Sequence, residues 1–237
     1  MYHFPMTFSA DLLASIEAAM QEVVAASRHL GRRQYHVALA GNISVRVSER
    51  IMICTRHGAD KEALSSDDLV TCDLSGMKLD GAGEPTSELN MHCVAYEKRP
   101  DVRAVIHAHP PIATAFAAAS APLDELQLPE MLVLLGPVRF VAYATPGSER
   151  LAQNVAPMLP GCDAFLLENH GALTLGRSAR QAALRMDLLE QNARISLALR
   201  QLGKPFALTE ADRATLMTFR EPMAAWGCDP VRSPPSQ

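Results

Sequence analysis

His107-Ala108-His109 is the densest concentration of chemistry in the sequence. On a strand, side chains two apart leave the same face, so these two imidazoles would stand side by side. That geometry suits two ligands of one cation. A pair of strand-end histidines bonded to backbone or water is the competing reading, and the pair alone leaves both open. Val102, Val105 and Ile106 drive the segment inward, where imidazoles need a polar partner or a cation. Glu168-Asn169-His170-Gly171 follows the apolar run Ala164 to Leu167 and brings a third histidine to a strand end. By itself it reads as an ordinary hairpin turn. Taken with His107 and His109 it completes three imidazoles, which with one open position form the coordination expected of a catalytic zinc. No cysteine neighbours these stretches in the sequence, so softer ions lose ground.

Two further segments have the composition of anion sites. Pro85-Thr86-Ser87-Glu88 opens a helix, where free backbone N–H groups and hydroxyls favour phosphate or carboxylate. A plain helix cap, with Thr86 or Ser87 as the capping residue, explains it equally well. Glu88 and His92 lie four apart on one helical face and can form a local pair, or His92 can support the site from behind Glu88. Gly41-Asn42-Ile43-Ser44 and Thr55-Arg56-His57-Gly58 are tight polar turns that can present backbone donors, although most such turns bind nothing.

The elements that must position these residues follow from periodicity. Ser9 to Leu30 carries a helical stripe (Leu12, Leu13, Ile16, Ala19, Met20, Val23, Val24) and should stop at Gly31. Leu39 to Val47 and Arg50 to Thr55 read as strands, Thr86 to Arg99 as a helix, Val102 to His109 as a strand and Ile112 to Ala119 as an Ala-rich helix. Val138 to Ala142 and Ala164 to Leu167 read as strands, with Ala172 to Leu175 pairing with the latter. Ser178 to Leu202 reads as a long helix with Leu184, Leu188, Ile195 and Leu199 on its stripe. Strands and helices alternate irregularly, giving one α/β domain over residues 1–230 and a loose Pro-rich tail over 231–237.

Composition narrows the class. With 237 residues, 48% of them hydrophobic and 20% charged, the chain can bury a substantial core. Its 22 basic and 26 acidic residues give a net charge of −4, which argues against nucleic acid or an anionic membrane as partner. No apolar run is long enough to span a bilayer, and the first residues lack the pattern of an export signal, so a cytoplasmic location is expected. Five scattered cysteines fit neither a disulfide framework nor a thiolate zinc site and read as reduced, small apolar residues. His3, His29 and His36 have no partner pattern and read as surface or packing histidines.

Gly41-Asn42-Ile43-Ser44, Pro85-Thr86-Ser87-Glu88, His107-Ala108-His109-Pro110, Tyr143-Ala144-Thr145-Pro146-Gly147 and Asn169-His170-Gly171, in that order, resemble the class II aldolase/adducin family. The likeness is to its fuculose-phosphate-aldolase-like members in particular and spans about residues 9 to 202. It implies a layered α/β/α fold with a mostly antiparallel central sheet, and a homotetramer with its sites at subunit interfaces. It implies His107, His109 and His170 as zinc ligands (Mn²⁺ or another divalent ion being an alternative), with Glu88 as acid/base and occupant of the fourth metal position. Tyr143 matches a tyrosine that reaches a neighbouring subunit's site and protonates the aldehyde fragment. Gly41, Asn42, Thr86 and Ser87 match phosphate-holding positions, with Thr55, His57 and Gly58 in a second such turn.

That second turn departs from the family's Thr-Pro-[Ser/Thr]-Gly, since Arg56 and His57 replace the middle pair. A carboxylate or ring substituent thereby becomes an alternative anion. The resemblance implies a metal-dependent lyase that splits a small, phosphorylated ketose by retro-aldol chemistry. A decarboxylase of a hydroxy or aromatic acid is the alternative. A sugar-phosphate 4-epimerase is third, because epimerases carry Asp where Glu88 stands. The adducin branch keeps the fold without the ligands, whereas all three histidines and Glu88 are present here.

Overall fold

The structure is a computed structural model that describes residues 9–123, 128–203, 208–220 and Trp226; His3, Cys228, most of the segment 219–226 and the tail 231–237 lie outside these. Helix α1 (Ala10–Arg32) starts where Ser9 accepts a hydrogen bond from the Leu12 N–H, and buries Ile16, Ala19, Val23 and Leu30. It runs through Gly31 instead of stopping there. The chain reverses at Gln34, with φ of 60°.

Eight strands form one sheet: β1 (Asn42–Arg46), β2 (Ile51–Thr55), β3 (Leu69–Asp73), β4 (Lys78–Asp80), β5 (Ala104–Ala108), β6 (Val138–Val141), β7 (Ala164–Leu167) and β8 (Gly171–Gly176). Their order is β4-β3-β2-β1-β5-β8-β7-β6. All neighbours are antiparallel except β6 and β7. That one parallel pair needs a crossover, and helix α4 (Glu149–Val155) supplies it. Neither α4 nor the strands β3 and β4 is legible in the sequence: β4 is a three-residue edge piece, Lys-Leu-Asp, with no apolar alternation to detect.

Helices cover both faces. On one face α1, α3 (Pro111–Ala118) and α5 (Ala179–Leu202) bury Ile43, Val45, Ile106, Leu166, Met186 and Leu189. On the other, α2 (Leu89–Lys98) and α4 pack over Met52, Cys54, Val105, Phe165 and Leu173. Alternation along β5 sends Ala104, Ile106 and Ala108 to the first face and Val105 to the second, so His107 emerges under α2. Helix α5 differs from its expected stripe. It buries Ala182, Met186, Leu189, Ala193 and Ser196, while Leu184, Leu188, Ile195 and Leu199 are only partly covered. The helix starts in close approach to the sheet: a Cβ on Gly176 of β8 would lie 2.7 Å from the Ala182 nitrogen, so glycine is required there. Cys54, Cys72, Cys93 and Cys162 are free thiols, and no helix among the described residues is long and apolar enough to cross a membrane.

His29 pairs with Asp187 at 2.7 Å. His36 is fully buried, and neither ring nitrogen has a hydrogen-bond partner among the described residues. Burial pushes its pKa down to about 4 from 6.5. A depressed folded-state value means the unfolded chain binds the proton first, so stability is flat above pH 6.5 and falls as pH drops towards 4. The His36 share is about 2 kcal/mol at pH 5. Urea unfolding at pH 7.5 and 5.0 should show a loss of at least that size in the native protein, since the other buried histidines add to it, and a loss smaller by about 2 kcal/mol in a His36→Leu variant.

Candidate metal centre

The site forms where four chain segments meet at one end of the sheet. His107 pairs with Asn42 across β5 and β1, and its Nδ1–H donates to the Ala172 carbonyl at 2.9 Å, which leaves Nε2 bare and facing inward. His109 follows β5 directly, its backbone N–H held by the Tyr35 carbonyl. Beyond it, α3 begins at Pro111, and the buried Glu190 carboxylate from α5 accepts the Ile112 and Ala113 N–H groups at 3.0 and 2.9 Å. That anchor fixes the direction in which His109 leaves the strand. His170 stands on the β7–β8 turn. The left-handed residue there is Asn169, at φ 52°, not Gly171; asparagine tolerates that conformation.

Gly171 is required for a different reason. A Cβ at this position would lie 2.3 Å from Cδ2 of His109 and 2.9 Å from the Ala108 carbonyl oxygen. Gly171→Ala should therefore push the His109 ring out of the site and weaken divalent-ion affinity about 10-fold or more, with the fold retained. Circular dichroism together with a metal titration checks both halves of that expectation.

The three Nε2 atoms and Glu88 converge. Among the described residues, His107, His109 and His170 form a group whose candidate ligand atoms all lie within 4.8 Å of one another. Nε2 of His107 and Nε2 of His109 are 3.0 Å apart. A proton on His109 can bridge them, and with that proton on Nδ1 instead both Nε2 lone pairs would be available to a cation. Glu88 spans the other side, with Oε2 at 3.3 Å from His107 Nε2 and Oε1 at 3.2 Å from His170 Nε2. Its Oε1 is buried without a hydrogen-bond partner among the described residues.

Burial lowers the pKa of all three imidazoles. It takes His107 well below 6.5, helped by its two histidine neighbours, and His109 to about 4. For His170, burial outweighs the opposing pull of Glu88. Neutral imidazoles with inward lone pairs, one carboxylate and no thiolate make a donor set that fits a divalent ion such as zinc.

The sequence expectation for the Glu88 helix needs correction. Helix α2 starts at Leu89, with Glu88 itself as the capping residue and no side-chain cap. Residues 86–88 form a turn, closed by Leu89 N–H to the Thr86 carbonyl at 3.2 Å. The Glu88 side chain turns inward to the histidines instead of capping. Glu88 and His92 make no direct pair either: Asn42 sits between them, its Nδ2–H donating to Glu88 Oε2 at 2.8 Å and its Oδ1 accepting from His92 Nε2 at 2.6 Å.

The candidate anion-holding residues line two turns stitched together beside this centre. Thr55 is buried; its Oγ1 accepts from Ile43 N–H at 3.3 Å and its carbonyl from Thr86 N–H at 3.1 Å. Gly41 has φ of 79°, and a Cβ there would strike the His36 ring and the His107 carbonyl. Gly58, at φ 68°, has open space around it. Thr86 is buried, Ser87 and His57 are exposed, and the Arg56 guanidinium is tied to Asp68 at 2.6 Å. Tyr143 lies beside the His170 turn, its N–H donating to Glu168 Oε2 at 2.9 Å, with its side chain 52% exposed. Of the side chains behind Asn42, Ser44 and Tyr96 escape a reading of the sequence as supports of Glu88, whereas His92 is signalled by its four-residue spacing from Glu88.

Residues 21–197 match the Class II Aldolase and Adducin N-terminal domain, and the chain belongs to that family. It is 34% identical over 183 residues, 77% of this chain and 98% of the relative, to the L-fuculose phosphate aldolase of Methanococcus maripaludis. It is 30% identical over 192 residues, 79% and 87% respectively, to the 3-oxo-tetronate 4-phosphate decarboxylase of Pectobacterium atrosepticum. A solved L-fuculose 1-phosphate aldolase superposes with a TM-score of 0.79 at 29% identity, covering 89% of this chain and 96% of that one. Both named activities are those of lyases, and both act on phosphorylated compounds.

Proposed function

We propose that this chain is a divalent-metal-dependent carbon–carbon lyase that splits a small phosphorylated ketose by retro-aldol cleavage, with zinc as the preferred ion. The observation that carries the reading is the convergence of three neutral imidazoles and the Glu88 carboxylate on one point. A divalent cation held there supplies Lewis acidity, stabilising negative charge that develops on a carbonyl oxygen beside the breaking bond. Cleavage leaves the bonding pair on the ketone-side fragment, and Glu88, ionised at rest, delivers to that carbon the proton it receives from the substrate hydroxyl by way of Tyr143. Tyr143, contributed to a neighbouring subunit's site in a homotetramer, takes the proton from the hydroxyl that becomes the aldehyde. Gly41, Thr55, Gly58, Thr86 and Ser87 cradle the phosphate with backbone and hydroxyl donors, and His57 lies at the rim.

A decarboxylase acting on an oxo or hydroxy acid is the second reading, favoured by the Arg56-His57 replacement and by the decarboxylase relatives. Loss of CO₂ also leaves an electron pair beside a carbonyl, so the same centre serves it. Incubation with L-fuculose 1-phosphate and with a 3-oxo-tetronate 4-phosphate, measuring aldehyde and CO₂ separately, distinguishes the two. Chelator-sensitive aldehyde release from the ketose phosphate is expected. CO₂ from the oxo acid with no aldehyde from the ketose selects the decarboxylase, and interconversion of sugars without fragments selects an epimerase.

A further inference from the structure

Behind Glu88 runs a buried chain of side chains that the proposed chemistry does not use. Tyr96 OH lies 2.7 Å from Ser44 Oγ, Ser44 Oγ 2.7 Å from His92 Nδ1, His92 Nε2 2.6 Å from Asn42 Oδ1, and Asn42 Nδ2 2.8 Å from Glu88 Oε2. Ser44 and His92 are fully buried, with Tyr96 and Asn42 nearly so. A carboxylate that serves as a metal ligand fixes every donor along the chain. It can only accept, so Asn42 must present its NH₂ to Glu88 and its oxygen to His92. His92 must then carry its proton on Nε2, Ser44 must donate to the bare Nδ1, and Tyr96 must donate to Ser44. Burial, which depresses the His92 pKa to about 3, keeps that ring neutral and the order single-valued. Tyr96 is itself held by the Arg46 guanidinium, 4.8 Å above its ring.

We propose that Tyr96, Ser44, His92 and Asn42 form a one-way hydrogen-bond relay that orients the Glu88 carboxylate, making His92 a positioning residue for the metal centre. The relay engages Oε2 and leaves Oε1 as the oxygen turned to His170 without a hydrogen bond, the one available to a cation or a moving proton. It also commits the Asn42 amide oxygen to His92 and one of its two Nδ2–H groups to Glu88. The inference rests on the metal reading above. Its test uses metal-free native, His92→Gln, His92→Phe and Ser44→Ala proteins titrated with Co²⁺ and followed by visible absorption.

His92→Gln keeps an N–H for Asn42 and should bind Co²⁺ within about threefold of the native protein, whereas His92→Phe should bind about 10- to 100-fold more weakly with an altered ligand-field band. Ser44→Ala leaves His92 in place with its Nε2–H still directed to Asn42 but its Nδ1 without a donor, and should fall between them. Equal affinities and spectra in all four, with melting points lowered alike, would make the chain a structural ladder and overturn the proposal. Native protein that takes up no Co²⁺ removes the metal reading instead. The relay is then decided by ¹⁵N spectra of metal-free protein: a His92 proton on Nε2 supports it, and one on Nδ1 overturns it.

Discussion

A His107→Ala/His109→Ala double variant is expected to hold no divalent ion and to cleave its substrate at least about 10³-fold more slowly than the native protein. Two of three imidazoles vanish, and one histidine with one carboxylate retains a cation poorly. Losing Lewis-acid stabilisation of several kcal/mol, roughly 4, corresponds to three orders of magnitude in rate. His107 is fully buried and bonded to the Ala172 carbonyl, so the variant also loses some stability. Circular dichroism must accompany the assay. Elemental analysis and aldehyde release on the same preparation settle the matter: full activity in metal-free double variant removes the proposed chemistry. The native protein should lose activity in a chelator and regain it with Zn²⁺.

Glu88→Gln is expected to lower kcat about 10²- to 10⁴-fold while changing KM little, because a neutral amide of the same shape can neither give nor take the proton. Gln keeps an oxygen for Asn42 Nδ2, so the buried hydrogen-bond chain and the fold should survive. Its other terminus becomes an NH₂ where Oε1 faced His170, which should weaken ion binding without abolishing it. Steady-state kinetics with saturating Zn²⁺ separates the two effects. A variant that recovers native kcat at high Zn²⁺ would reduce Glu88 to a ligand and move the proton-transfer role elsewhere.

The donor set was legible in the sequence because it depends on residue types at strand ends. His107-Ala108-His109 at the end of an apolar run and His170 beside Gly171 follow from strand alternation and turn chemistry, which are local rules. The roles of the glycines were not. Gly171 looks like a turn residue, yet Asn169 makes the turn and Gly171 makes room for a ring contributed from 62 positions earlier. Helix α5 shows the same limit: its leucine periodicity is real, but the sheet covers a neighbouring face that carries Ala182, Met186, Leu189 and Ala193. Strand β4 lacks apolar alternation, β3 is a short Leu-Val-Thr-Cys run buried on both faces with no period to mark it, and nothing local encodes the direction of the parallel β6–β7 pair.

Thus the chain by itself determined which side chains can bind a cation and that they stand at the ends of strands. Tertiary structure alone decided that Glu88 turns away from its helix to face them, and that Asn42 and His92, respectively 46 residues before it and one helical turn after it, hold it there. The physical reason is that a local pattern constrains only a residue's own φ, ψ and face. The inward turn of a carboxylate depends on donors that packing delivers from remote strands, and burial makes those few hydrogen bonds the sole partners available.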